Sequence, residues 1–399
     1  MLLMATVYAL LAKLMLSYFS VAENVTLVWF PGGVALSVLL LKGLRLWPGV
    51  FVGAFAAGLL VNDGFWLCFV TAVGNTLESV LAAWLLNRSH RFSLDLAKPE
   101  HLRTLTLVGA FCSIISAVFG PVAMGLQGMF PVQALPPVIL HWWMADMFGM
   151  ITITPVFLIW RHWPSEWFQG KRGFEALGFI GLTVFVTLLV FQDVFQKQIT
   201  DLPHAYWMIA FLFWGAMRFG RHGMQFVVIL TAITALLGAA AGKGVFSDDF
   251  ENSGLLNFWL FQSLFSWIGS VLALTLHDLR EAGNFLRSNE RRLDAIINAS
   301  PVAYALNDDQ FNITQLNPAF IKTFGYALAD ISTLADWWTK ACPDPEYRRW
   351  VETRWHQAKQ SGQAFQSFEL DVFIVKMARS NTYWWELCLW KASIAVSIW

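Results

Sequence analysis

Four polar side chains stand inside long apolar runs of this sequence and are the first candidates for chemistry: Asn75, Glu78, His141 and Asp146. Asn75 and Glu78 are three residues apart, close to one helical turn, and so share a face. An ionisable group in the middle of a bilayer-crossing segment costs at least about 2.5 kcal/mol, so it has a partner or a task. Together the four could line a polar cavity that receives a small ligand. The competing reading is structural: a carboxylate pair sharing a proton, or hydrogen bonds that knit helices. Trp142 and Trp143 follow His141 and supply either an aromatic wall or an interfacial anchor. The four cysteines, Cys68, Cys112, Cys342 and Cys388, are scattered without metal-ligand spacing and read as small apolar filler. No catalytic centre is expected, and no metal or cofactor.

The elements that hold these groups are apolar helices. Hydrophobic residues make up 57% of the 399 residues and charged ones 14%, a charge deficit that excludes an ordinary soluble domain. Ten runs long or nearly long enough to span a bilayer occur at 2–20, 26–41, 46–61, 65–86, 104–124, 135–160, 174–191, 203–217, 223–241 and 255–277. The second and third are short and could form one broken hairpin, giving eight. The N-terminal run lacks a basic lead and a small-residue cleavage site, so it reads as a first span. Pro31-Gly32-Gly33 in the second run suits close helix packing.

Loop charges set the register. One set of alternate breaks holds Lys42 and Arg45; Arg88, Arg91, Lys98 and Arg103; Arg161, Lys171 and Arg172; Arg218 and Arg221. Arg280, Arg287, Arg291 and Arg292 follow the last run. The opposite breaks hold only Lys197 and Lys243, beside Glu23, Asp63, Asp193, Asp201, Asp248, Asp249 and Glu251. Positive loops stay on the cytoplasmic side, which places both termini there. Zero net charge with no basic stripe argues against a nucleic-acid partner.

The composition turns polar near 278. Leu272, Leu279, Leu286 and Leu293 recur every seven residues, with Leu276 and Ile297 on the neighbouring seam, a pattern for a weak parallel coiled coil between two copies. Gly283 and Glu290 interrupt it, and a single amphipathic helix is the alternative. Residues 299–373 read as a small α/β domain: a hairpin turning at Asp308–Asp309, a short helix ending near Gly325, a helix over about 345–360 and a strand at 365–373. Asn317, Phe320, Phe324 and Tyr326 are expected to shape its pocket. A flavin-reactive cysteine motif is missing, and His356 is the one histidine of the region, in a polar helix, so flavin and haem are not indicated.

Trp29, Pro31 and Gly33, then Gly43, Arg45, Trp47, Pro48 and Gly49, then Gly74 to Ser79, then Trp142 to Pro155, form four motifs in order. They resemble the first type of the membrane-associated sensor (MASE) family, over roughly residues 5–280. Residues 290–373 resemble a PAS domain. The resemblance implies an all-α polytopic bundle in the bacterial inner membrane, followed by a PAS-like α/β domain incomplete at its C-terminus. Its domains would run 1–278, a signalling helix 279–298, and 299–373. Its partners would be the lipid bilayer, a second copy, and a small ligand or membrane protein. In such proteins the module feeds a GGDEF cyclase, an EAL phosphodiesterase or a histidine kinase; no string for any of these occurs. A transporter is the weaker alternative, because no internal repeat is visible.

The PAS pattern fails after Phe373, where a K-D-G turn and two long strands should follow. Reading the coding possibilities of residues 374–399 one frame over permits CKDGSKQYVLVGAVSMEGKHSGVYL, which restores both. A shifted frame is expected there, leaving this chain as the front end of a longer sensory protein and its PAS sheet with an unpaired edge.

Overall fold

The apolar runs become helices, and the computed structural model describes all residues except 22–24, 27, 62–63, 193, 195–204, 249–254, 309, 361–364, 376–386 and 398–399. Glu23, Asp63, Asp193, Lys197, Asp201, Asp249, Glu251 and the side chain of His356 lie outside the described residues. The chain divides into two units, Met1–Glu281 and Ala282–Trp399.

The first unit holds α1 (Leu2–Tyr18), α2 (Phe30–Lys42), α3 (Trp47–Leu60), α4 (Phe65–Arg88), α5 (Pro99–Leu126), α6 (Leu135–Trp160), α7 (Gly170–Phe191), α8 (Met208–Ala240) and the start of α9 (Leu256–Ala299). A two-residue hairpin pair, β1 (Ser20–Val21) with β2 (Val25–Thr26), joins α1 to α2. Six of the helices are long and apolar enough to cross a membrane, while α1, α2 and α3 are shorter. At 1.5 Å per residue the 13 residues of α2 reach about 20 Å, so it cannot cross alone. Instead α2 is an inner helix, buried from Pro31 through Ser37. Lipid-facing positions elsewhere are apolar and open, as at Leu10, Phe111 and Phe174.

The two runs at 203–217 and 223–241 form two helical limbs within α8, with no long loop between them. Gly220 reverses the chain (φ 62°, ψ −145°), a conformation open in practice to glycine. In a straight helix residues 215 and 223 would lie about 12 Å apart. Here a Cβ on Gly215 would stand 2.8 Å from the Gly223 carbonyl oxygen, so 208–219 and 221–240 are two limbs of a tight hairpin.

Contacts among the breaks follow the charge register. Asp95 takes Arg161 by its carboxylate and Arg221 by its backbone carbonyl. Arg172 donates to the Arg218 carbonyl (3.0 Å) and Arg280 to that of Met217. His222 Nε2 lies 2.7 Å from the His162 carbonyl. The arginine-bearing breaks after α4 and α6, the Gly220 turn and the exit of α9 therefore gather at one end of the bundle. At another point of the same unit, Gly49 lies against the Met1 carbonyl, so the N-terminus meets the break that carries Lys42 and Arg45.

The units divide between Glu281 and Ala282, near the composition change at 278, and α9 runs unbroken through that point to Ala299, since Gly283 there costs a helix only about 1 kcal/mol. Leu279, Leu286 and Leu293 are all more than half exposed.

The second unit forms β3 (Ala305–Asn307) and β4 (Ile313–Leu316), paired antiparallel, then α10 (Pro318–Phe324), α11 (Leu334–Ala341), α12 (Pro345–Gln360), β5 (Phe365–Val375) and β6 (Leu387–Ser397). Asp308 makes the hairpin turn by accepting from the amides of Gln310 (2.9 Å) and Asn312 (2.8 Å). Gly325 ends α10 in the left-handed region, as its position after the last apolar residue indicates. One edge of β5 pairs along its whole length with β6, Phe365 opposite Ser397 and Val375 opposite Leu387, while its other edge has no strand beside it among the described residues, as expected. The tail 387–397 is rich in β-formers, and backbone groups pair whatever the side chains are.

Candidate functional site: a polar core among the membrane helices

The centre of the first unit is built on glycine contacts between α2 and α6. A Cβ on Gly33 would lie 2.2 Å from the Gly149 carbonyl oxygen, and one on Gly149 would lie 2.0 Å from that of Trp29. Both backbones can touch only because neither position has a side chain, as the Pro31-Gly32-Gly33 run leads one to expect. The close approach lets the Trp29 amide donate to the Ala145 carbonyl (3.2 Å). It also sets the Trp29 indole against Tyr8, with Nε1 3.3 Å from the phenol oxygen.

Asn75 and Glu78 sit on one face of α4, as their spacing predicts, and both are buried. Asp146 faces them from α6, 1% exposed. Helix α5 supplies the links. Ser116 donates to Asn75 Oδ1 (2.6 Å) and accepts from Trp142 Nε1 (3.0 Å). Ser113 lies 3.1 Å from Glu78 Oε1 and 2.9 Å from the Gly109 carbonyl. Gly120 makes room for the Trp142 ring, whose edge would be 2.6 Å from a Cβ there.

A cavity of about 50 Å3 opens inside this network, lined by Thr26, Trp29, Thr71, Asn75, Trp142 and Asp146 among others. That is room for a few waters or a very small molecule. One oxygen of the buried Asp146, Oδ2, has no hydrogen-bond partner. An acceptor left open in a buried site normally costs about 1–3 kcal/mol. The site therefore has room for a donor beside that oxygen.

Of the residues singled out from the sequence, Asn75, Trp142 and Asp146 meet at the cavity. Glu78 belongs to the same network through Ser113 but does not line the cavity. His141 is half-buried and lies outside the lining, although it precedes Trp142. The sequence reading missed Ser113, Ser116 and Tyr8, and took Trp29 as a motif residue but not as part of the site. Two serines at i and i+3 inside the apolar run 104–124 were a usable signal, since serine pairs in such runs bond across helices.

In the second unit Asn317 is fully buried, but as a structural knot. Its Oδ1 accepts from the amides of Tyr304 (2.8 Å) and Phe320 (2.9 Å), capping α10. Its Nδ2 donates to the carbonyls of Ile297 (3.0 Å) and Val302 (2.7 Å). Phe320 and Phe324 pack on Trp337 at 4.9 and 5.0 Å between centroids, and Tyr326 meets the same ring edge-on at 6.2 Å. Trp337 is the hub the sequence reading missed. Its signal was the capping box at Thr333 and Asp336, which starts α11. Burial pushes the Cys342 thiol up to about 11, an inert core cysteine.

A model of the MASE1 family matches residues 1–276, and a model of a PAS domain matches residues 291–358. No curated protein and no solved structure matches the chain. Both matches are sensory modules.

Proposed function

Because the chain belongs to the MASE1 family and carries a PAS domain behind its membrane helices, it is a multi-pass membrane sensory input protein, and we propose that its stimulus is a small hydrogen-bond donor taken up in the cavity at Asp146. The observation that carries this reading is the unpartnered Asp146 Oδ2 at the wall of a cavity. Occupancy would fill the space among Asn75, Trp142 and Trp29 and favour the helix packing that accommodates it; a ligand shifts an equilibrium by its difference in affinity for the two packings. Helix α9 then carries the change to the PAS domain. The exposed Leu279, Leu286 and Leu293 would pair with the same stripe of a second copy. On this reading the arginine-rich end faces the cytoplasm of a bacterial inner membrane and both termini lie on that side; the contacts that bring the breaks after α4 and α6, the Gly220 turn and the exit of α9 together support it. In that compartment the PAS domain would act on a cyclic-di-GMP or two-component output.

The test places the chain in front of a reporter output domain in cells. Asp146→Asn and Glu78→Gln are compared with the parent, with insertion checked by fusions after Arg88 and Arg172. Altered output at normal insertion supports the cavity role. Output identical to the parent in both variants rejects it, and periplasmic fusions reject the topology.

A further inference from the structure

A second site stands at the arginine-rich end, apart from the polar core. Lys171 and Arg172 open α7, Arg218 closes the first limb of α8, and Arg280 lies on α9; with Glu175 and Met217 they line an open pocket of about 530 Å3. Four cations thus face one lining carboxylate. Glu175 is already committed to Arg218 by a two-point pair of 2.5 and 2.6 Å. Arg172 reaches Glu166 only at 3.5 Å and otherwise donates to a backbone carbonyl, as does Arg280. Lys171 makes no hydrogen bond or ion pair among the described residues. Asp278 and Glu281 flank Arg280 in sequence, and Glu281 lies near His277 at 3.9 Å. The pocket keeps an excess of positive charge that three helices hold together.

The rim of the pocket is apolar and open. Met217, which lines the pocket, and Phe213, one turn earlier on the same face of α8, are both exposed. A free anion would use the cations and leave this strip bare. A phospholipid uses both, since its phosphate sits at the membrane surface and its chains run down alongside. We propose that this pocket binds an anionic phospholipid, with the phosphate held by Lys171, Arg172 and Arg280 and an acyl chain along Met217 and Phe213. The lipid bridges α7, the Gly220 hairpin and α9, so it braces the helix that leaves the membrane. The site is independent of the cavity at Asp146.

The test uses the purified full chain in detergent and measures binding of fluorescent phosphatidylglycerol and phosphatidylcholine. Phosphatidylglycerol is expected to bind on the order of tenfold more tightly. The double variant Lys171→Gln, Arg172→Gln and the separate Arg280→Gln should each remove most of that preference; Arg218 is spared because its pair with Glu175 holds α7 to α8. Excess inorganic phosphate should leave the bound lipid in place. Equal affinity for the two lipids in the parent protein overturns the proposal. So does an intact preference in both variants, and so does full displacement by inorganic phosphate, which would make the ligand a soluble anion.

Discussion

Asn317 and Asp146 are equally buried, one in each unit, and they differ in how completely they are satisfied. Asn317 accepts two amide protons and donates to at least two carbonyls. Asp146 keeps an oxygen without a partner beside a cavity. A buried polar side chain with all its capacity used is part of the scaffold; removing it orphans its partners. One with capacity to spare adds nothing to the fold by that atom and is free to be used by something that arrives. With the role proposed for Asp146, the contrast would separate structure from function without any appeal to residue type, since both positions looked like site residues in the sequence.

The comparison can be broken or sharpened by substitution. The largest effect is expected at Asn317→Ala, which orphans the amides of Tyr304 and Phe320 and removes a cap; about 3–5 kcal/mol of local stability should be lost. Hydrogen exchange of those two amides in the full chain reads it, and Asn317→Asp should fall between, because it keeps the cap but not the donors. Next comes Gly149→Ala, whose methyl has no space against the Trp29 carbonyl; about 2–3 kcal/mol should go, with the Trp29 wall displaced. Thermal unfolding in detergent measures it, and an unchanged midpoint would contradict the α2–α6 contact. Asp146→Asn should move the same midpoint by less than about 1 kcal/mol, the mark of a group the fold does not need. A loss as large as that at Asn317 would return Asp146 to the scaffold.

The smallest effect concerns pH. The Thr333 and Ser332 hydroxyls and the Thr333 amide hold the Asp336 carboxyl below the ordinary carboxylate range, and the Asn312 side chain and amide do the same for Asp308. A carboxyl with a depressed native pKa contributes stability that is fully present above the unfolded value of about 3.9 and is lost as pH falls through the lower native value. Resistance of the 282–360 segment to an acid-active protease should therefore decline only below about pH 4. Asp336→Asn should weaken the segment at neutral pH and flatten that decline.

Much of the architecture was legible because it is written in local terms. Hydrophobic run length gave the helices, alternating loop charge gave which breaks gather at one end, and the turn at Asp308, the helix at 318–324 and its stop at Gly325 followed from residue types a few positions apart. The helix at Leu334–Ala341 was equally local and was missed, its capping box being the signal that went unread. Nothing local revealed that Gly220 would turn the chain back so tightly that Gly215 meets Gly223, or that residues 387–397 would pair with β5.

The sequence by itself determined that this chain crosses a membrane many times, that its polar groups fall at Asn75, Glu78 and Asp146, and that a small α/β domain follows. Only the tertiary structure decided which of those groups meet: Ser116 reaches Asn75 across 41 residues and Thr154 reaches Gly33 across 121. Helix and turn preferences act over about one turn of chain. Which side chains are left without a partner depends on how whole helices settle against each other, through bare glycines that a residue-by-residue reading cannot pair.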